Sequence, residues 1–567
     1  MRPPSSSYPL SFSPESLAMG YRIYESSLAS LTNTTVDISF AATPGRYRLI
    51  NCARYIEEGV LCIEEFTDLS TTTYSAISYL WRGNPIDPSR TDESSGAFSV
   101  KGAEDGDPVN IEVLSHACTA SLLESADYLW LDRLCIIQTN RDDKAWQIQR
   151  MYGIYQCCKT CLILPGGIGQ LVTIEDETEW ITRAWTLQEA TAPSRSLVLF
   201  AWEGSPGRWE GWEGGVKGTV IDVVPEKSAV VLLRDMLNAC FYPMALTWHP
   251  ADGSPSRDDL SPSILGSYGD SALGSLMWAL DAEDSESQSV AVWRCALLRA
   301  SSRPVDMVLS IMGIFGIALD ARLFHKDDRI GATIALAREI LCNGGKPAWL
   351  AISLDIPPSR VLSAFPEFPH TDVTGEVAWQ ASSDNDETSS AALTVLPEDW
   401  VRDIPGGSMD EEGYLTITNK AAPVLFTGQS YDKRHTTFAR NNNDIDVVPT
   451  SGVLRVTSTD GKVWDISISK EVPSHDERLG QTFVLFLGST CKFPRDPVYQ
   501  PAPPLGGITL PETSPLRAVI LEEHQPERFH RTSVLTLPEE PFRSIIDSWR
   551  VYTFAIGGPE PLRGSAL

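Results

Sequence analysis

The chain has 567 residues, of which 42% are hydrophobic and 16 are Trp, so it can build several packed cores and is not a generally disordered chain. With 46 basic against 74 acidic residues the net charge is −28. Such a balance repels phosphate backbones and anionic lipid, which excludes general nucleic-acid or membrane-surface binding.

Residues 1 to 44 read as a flexible lead-in rich in Ser and Pro, with a short helical tendency between Ser16 and Leu31. No long apolar stretch marks a secretory signal there, and the longest apolar run, Met307 to Leu319, is too short to cross a bilayer. The 11 Cys are odd in number and lie mostly in apolar runs (Cys118, Cys135, Cys157, Cys240, Cys295), as buried thiols of a reducing compartment do. These features predict a soluble, cytoplasmic protein.

From Tyr74 the pattern becomes one of alternating strand and helix. Tyr74 to Leu80 predicts a strand, and Ile111, Leu114, Cys118 and Leu122 recur at helical spacing. A strand at Tyr128 to Leu131 leads through the cap-type turn Thr139 to Asp143 into a helix with Ile148, Met151, Tyr152, Tyr155 and Cys158 on one stripe. A third strand, Cys161 to Leu164, stops at Pro165-Gly166-Gly167, a helix is expected over Ile181 to Ala190, and a fourth strand over Ser196 to Phe200. Short apolar strands alternating with helices predict a doubly wound, flavodoxin-like parallel sheet over residues 45 to 215, with its ligand site beyond the carboxyl ends of the strands.

Residues 216 to 350 read as helical, with helices at Val290 to Ala300, Val305 to Phe315 and Ile330 to Leu341, the last closed by Asn343-Gly344. Residues 351 to 395, Pro-rich and then acidic and Ser-rich, predict a linker. Residues 396 to 567 read as a separate β-rich body, with strands at Tyr414 to Thr418, Val453 to Ser458, Val463 to Ser469, Thr482 to Leu487, Ala518 to Leu521 and Val551 to Ile556.

Three segments together resemble the fungal heterokaryon incompatibility (HET) domain: Tyr74 to Trp81; Leu129 to Gln138 with Gln147-Ile148 and Met151 to Tyr155; and Arg183-Ala184-Trp185-Thr186-Leu187-Gln188-Glu189. The resemblance spans about residues 70 to 200. It departs from the family at Arg82, which separates Trp81 from Gly83 where the family has a Trp-Gly pair. The resemblance implies nonself recognition that triggers cell death, protein partners in that signalling, self-association with like domains, and distant kinship with Toll/interleukin-receptor (TIR) domains. In plant-type TIR domains the Glu of a Trp-Cys-Leu-x-Glu helix is the catalytic residue of NAD cleavage, and Trp185 to Glu189 has the same spacing. One helical turn places both side chains on one face.

Glu189 is the candidate catalytic residue. Splitting nicotinamide from ribose builds positive charge on the sugar, which a carboxylate stabilises, and neutral nicotinamide leaves without an acid's help. Glu189 as a mere helix-end carboxylate, with Trp185 in the core, is the competing reading. Asp132 ends a strand at the expected ligand edge, where it either meets ligand or caps the turn and pairs with Arg183. Arg133 could neutralise a pyrophosphate. Ser78, Tyr79 and Trp81 leave the first strand at the same edge, as stacking platforms or as core. The Cys pair at 158 and 161 lacks the further ligands zinc needs, so no metal or resident cofactor is expected and NAD enters only as a substrate. Two functions stand: an NAD glycohydrolase, or a non-catalytic module that signals by association.

Overall fold

The computed structural model describes residues 20–87, 96–211, 215–242, 245–267, 270–352, 358–366, 368, 370–371, 377–378, 399–430, 453–458, 461–467, 481–492 and 514–558. The chain divides into two compact units, Met1–Leu273 with Asp320–Leu323, and Gly274–Leu319 with Phe324–Leu567.

The strands of the first unit are, in chain order, β1 (Tyr21–Ser27), β2 (Thr35–Val36), β3 (Tyr47–Asn51), β4 (Val60–Phe66), β5 (Tyr74–Tyr79), β6 (Ala97–Val100), β7 (Val109–Asn110), β8 (Tyr128–Trp130), β9 (Thr160–Leu164), β10 (Ser196–Ala201), β11 (Gly207–Glu210), β12 (Lys217–Val224), β13 (Ser228–Leu232), β14 (Leu246–Pro250) and β15 (Arg257–Leu260). Its helices are α1 (Leu28–Leu31), α2 (Cys52–Glu57), α3 (Ile111–Leu123), α4 (Asp132–Cys135), α5 (Arg141–Cys157), α6 (Thr186–Thr191) and α7 (Leu233–Phe241). Among the described residues, twelve strands form one mixed sheet in the order β1-β4-β3-β8-β5-β9-β10-β13-β12-β11-β14-β15.

The four expected strands sit together in the middle of this sheet as β8-β5-β9-β10, and their pairings are parallel. All residues of β5 and β9 are buried, because helices cover both faces of a parallel block. Antiparallel neighbours flank the block, β3 beside β8 and β13 beside β10. The expected parallel block is thus the centre of a larger, mixed sheet.

Asn140 starts α5 by accepting the amides of Asp142 at 2.9 Å and Asp143 at 3.0 Å. Asn140→Ala is expected to destabilise the first unit by about 1 kcal/mol, read as a lower melting temperature. The same turn delivers Asp143 into the interior, where its carboxylate meets Arg48 of β3 at 3.0 Å with neither side chain exposed. That carboxylate also accepts the amides of Gly45 at 2.8 Å and Ile137 at 2.9 Å. Arg48 donates onward to the carbonyl of Cys135 at 2.9 Å.

Several expectations need correction. Residues 1–19 lie outside the described residues, but the rest of the expected lead-in is structured: β1 pairs antiparallel with β4, and the helical tendency shrinks to α1. Tyr21 to Ser27 buries only Ile23 fully, a sparse pattern that gives little sequence signal for an edge strand. Residues 217 to 260, expected to be helical, carry β12 to β15, with helix only in α7. Lys217–Val224 alternates exposed and buried positions, and that period of two selects a strand. The helix expected over Ile181 to Ala190 is two short pieces, a 3₁₀ turn at Trp180–Thr182 and then α6.

Among the described residues, the second unit joins helices to a nine-stranded, mostly antiparallel sheet whose longest strands are Leu415–Ser430, Thr482–Lys492, Leu516–Gln525 and Arg528–Leu537. Its helices include Ser285–Leu297, Asp306–Met312 and Arg329–Cys342, and Gly344 takes the expected left-handed conformation at φ +82° beyond the last. The expected β-rich region also contains one helix, Glu539–Ser548, whose Phe542 and Ile546 enter the core with Trp464 and Leu535. The helices from residue 274 belong with this sheet in one unit. Much of the expected linker, 353–357 and 379–395 in particular, lies outside the described residues, whereas Phe365 stacks on Trp349 at 5.0 Å and is buried.

Candidate functional site

The parallel strands converge their carboxyl ends on two carboxylates. Ser78 occupies the last buried turn of β5, and its hydroxyl donates to Glu189 Oε2 at 2.5 Å. The indole of Trp180, from the 3₁₀ turn before α6, donates to Ser78 Oγ at 2.8 Å. Glu189 lies one turn beyond Trp185, whose carbonyl accepts the Glu189 amide at 3.4 Å, so the expected spacing is realised as a single short helix. The Glu189 residue is only 8% exposed. Burial drives its pKa up to about 8, opposed by the Ser78 hydrogen bond and reinforced by the charge of Asp132.

Asp132 opens α4 directly after β8. Its Oδ1 accepts Tyr79 Oη at 2.6 Å and its Oδ2 accepts Trp81 Nε1 at 2.7 Å. The Arg133 amide adds a third donor at 2.6 Å. Burial pushes the Asp132 pKa upward, and the Tyr79 and Trp81 donors hold it back. Asp132 thus closes the strand end of β5 onto that of β8, through aromatic donors and not through a guanidinium.

Arg133 is 1% exposed, with its guanidinium carbon 5.6 Å from the Tyr79 ring centre and 5.8 Å from that of Trp81. It donates through Nη1 to the Asp107 carbonyl at 2.6 Å, while Nε and Nη2 have no hydrogen-bond partner among the described residues. A side chain so enclosed braces the loop after β5; no part of it lies open to solvent as a surface phosphate contact would. Arg183 and Trp185 are both half-buried, and the Arg183 carbonyl accepts Thr186 Oγ1 at 2.8 Å. The structure therefore brings Ser78, Tyr79, Trp81, Asp132, Arg133 and Glu189 to one edge of the sheet, with Arg183 and Trp185 on the segment that carries Glu189.

Arg82 does not disturb the loop, because Gly83 makes the close approach. A Cβ on Gly83 would stand 1.9 Å from the Gly166 carbonyl oxygen, and the Asn84 amide already donates to that oxygen at 2.9 Å. Gly167, at φ +96°, lies on the same side, and a Cβ on it would stand 2.8 Å from Gly83 Cα. The glycines after β9 thus lock the loop that carries Trp81.

Sequence reasoning missed Trp180 and Tyr155 as site residues. Tyr155 fell on the apolar stripe of α5, yet its hydroxyl donates to the Ile77 carbonyl at 2.8 Å beside the site. Trp180 preceded the expected helix and carried no periodic signal. The thiols are inert by environment: burial pushes Cys158 up to about 12 and Cys161 well above its usual value. Among the described residues no group of three or more His, Cys, Asp or Glu is arranged to hold a metal ion, and no helix among them is long and apolar enough to cross a membrane.

The first unit thus belongs to the α/β proteins that gather polar side chains at the carboxyl edge of a parallel block, the edge where open α/β sheets bind ligands. Residues 74–171 match the family described as Heterokaryon incompatibility protein (HET), so the chain contains a HET domain. The matched residues include Ser78, Tyr79, Trp81, Asp132 and Arg133 and end before Arg183, Trp185 and Glu189. No curated protein and no solved structure gives a significant match.

Proposed function

We propose that the chain acts in heterokaryon incompatibility through a TIR-like first unit that cleaves NAD with Glu189, and that the cleavage feeds a cell-death signal relayed by protein partners or by association of like domains. The observation that carries this reading is the Glu189 carboxylate, buried at the carboxyl edge of the parallel strands and held by the hydroxyl of a strand residue. In the ionised form it would face the ribose as the bond to nicotinamide breaks. Water then completes the hydrolysis to ADP-ribose, nicotinamide and a proton. Asp132, already satisfied by three donors, would shape the edge and hold Tyr79 and Trp81 in place as stacking surfaces.

The pH dependence follows from the burial of Glu189. A carboxylate with its pKa near 8 is mostly protonated at neutral pH in the free protein. The kcat/KM for NAD is therefore expected to rise about tenfold per pH unit below that value and to level off above it. Release of nicotinamide, followed by chromatography from pH 6 to 9.5, checks this; a rate that falls across the range would sink the assignment. A non-catalytic signalling module is the second reading, favoured by the small exposure of Glu189. It predicts no nicotinamide release at any pH.

A further inference from the structure

We infer that Trp180 and Ser78 form a one-way hydrogen-bond relay that fixes the orientation of the Glu189 carboxylate and regulates its charge, making both of them positioning residues for that carboxylate. The direction of the relay follows from donor chemistry. An indole N–H can only donate, so at 2.8 Å the Ser78 oxygen must be its acceptor. A hydroxyl has one proton, and Glu189 Oε2, 2.5 Å away, is the one acceptor within reach of Ser78 Oγ among the described residues, so that proton is aimed at Oε2. Oε2 is thereby an obligate acceptor. Any proton on the carboxyl group must sit on Oε1, and the ionised form keeps the full strength of a short, charge-assisted bond.

The rest of the surroundings is divided. Around Glu189 stand Asp132 from α4, Tyr155 from α5 and Cys161 from β9, with Tyr79 and Arg133 beyond Asp132. Burial and the neighbouring Asp132 favour the neutral acid, whereas the Ser78 hydroxyl and, more weakly, Tyr155 oppose them. Trp180 occupies one of the two lone pairs of the Ser78 oxygen, so without it that oxygen is freer to accept a hydrogen bond from a neutral Glu189, which weakens the brake on protonation. Ser78 and Trp180 are themselves fully buried, so no solvent competes for either bond. The relay is defined by geometry, and only its effect on turnover rests on the catalytic reading of Glu189.

The test is an infrared titration of the carboxyl stretch in protein labelled with ¹³C-Glu, with Glu189→Gln subtracted to isolate the Glu189 signal. Ser78→Ala and Trp180→Phe both remove a relay bond and keep most of the volume. The expected result is a tenfold or greater rise in proton affinity of Glu189 in Ser78→Ala and a smaller rise in Trp180→Phe, each in protein whose melting shows it folded. A lower melting temperature with an unmoved titration midpoint in both variants would overturn the relay and leave a packing role. Nicotinamide release is measured on the same samples. Shifted titrations with no release from any protein uphold the relay and remove the enzymatic reading, whereas undiminished release with unmoved midpoints does the reverse.

Discussion

Glu189→Gln is expected to lower NAD cleavage about 10²-fold or more while the first unit stays folded. Gln preserves the shape and can still accept from Ser78, so packing around α6 changes little. It removes the negative charge that would balance the ribose cation, and in a site this buried no water can substitute for it. Stability supplies an independent sign. The native pKa near 8 lies above that of an unfolded Glu, so the folded state holds a proton that the unfolded state releases between about pH 4.3 and 8. The associated stability is complete below the unfolded value and is lost as pH rises through 8. Gln has no such loss, so the melting temperature of Glu189→Gln relative to the wild type should climb from pH 5 to pH 9. A folded Glu189→Gln protein that releases nicotinamide at the wild-type rate would end the enzymatic assignment.

Asp143→Ala is expected to destabilise the first unit by about 3–5 kcal/mol, seen as a large drop in its urea midpoint. Both partners of the Arg48–Asp143 pair are fully buried, and the carboxylate serves two main-chain amides besides. Removing it strands a guanidinium in the interior and leaves the Gly45 and Ile137 amides without their acceptor. Asp143→Asn should be nearly as damaging, since the amide restores a hydrogen bond but not the charge. Combining Arg48→Met with Asp143→Leu should recover only part of the loss, because it removes both fully buried charges but leaves Glu65 without Arg48 and the Gly45 and Ile137 amides without an acceptor. A loss below about 1 kcal/mol in Asp143→Ala would show the pair to be dispensable.

The parallel block was legible because its strands are short, mostly apolar and separated by helices with clear stripes and caps. Its flanks were not. β1 buries too few side chains to alternate visibly, and β12 to β15 fell inside residues 216 to 350, read as one helical region although Lys217–Val224 alternates. At the site, residue type and strand-end position placed Ser78, Tyr79, Trp81 and Asp132 on one edge, and the resemblance to the TIR helix motif singled out Glu189. Partnerships were out of reach. That Asp132 would take aromatic donors, that Arg133 would be enclosed between rings, and that Trp180 would reach Ser78 all depend on how a 3₁₀ turn and a loop pack, which no local pattern encodes. Asp143 likewise read as a helix-start carboxylate, and only the fold turns it inward toward Arg48.

The three strands β1, β3 and β4 lie before the residues that match the HET family, yet β3 is the direct neighbour of β8 and supplies Arg48. A fragment cut to the matched segment would lose that neighbour, bare the ladder edge of β8 and leave Asp143 without Arg48 and the Gly45 amide. The recognisable segment is thus the conspicuous half of a larger folding unit. Swapping it into another protein, or expressing it alone for assay, would need residues 20 to 66 carried along with it, so portability here is set by strand order and not by the limits of motif similarity.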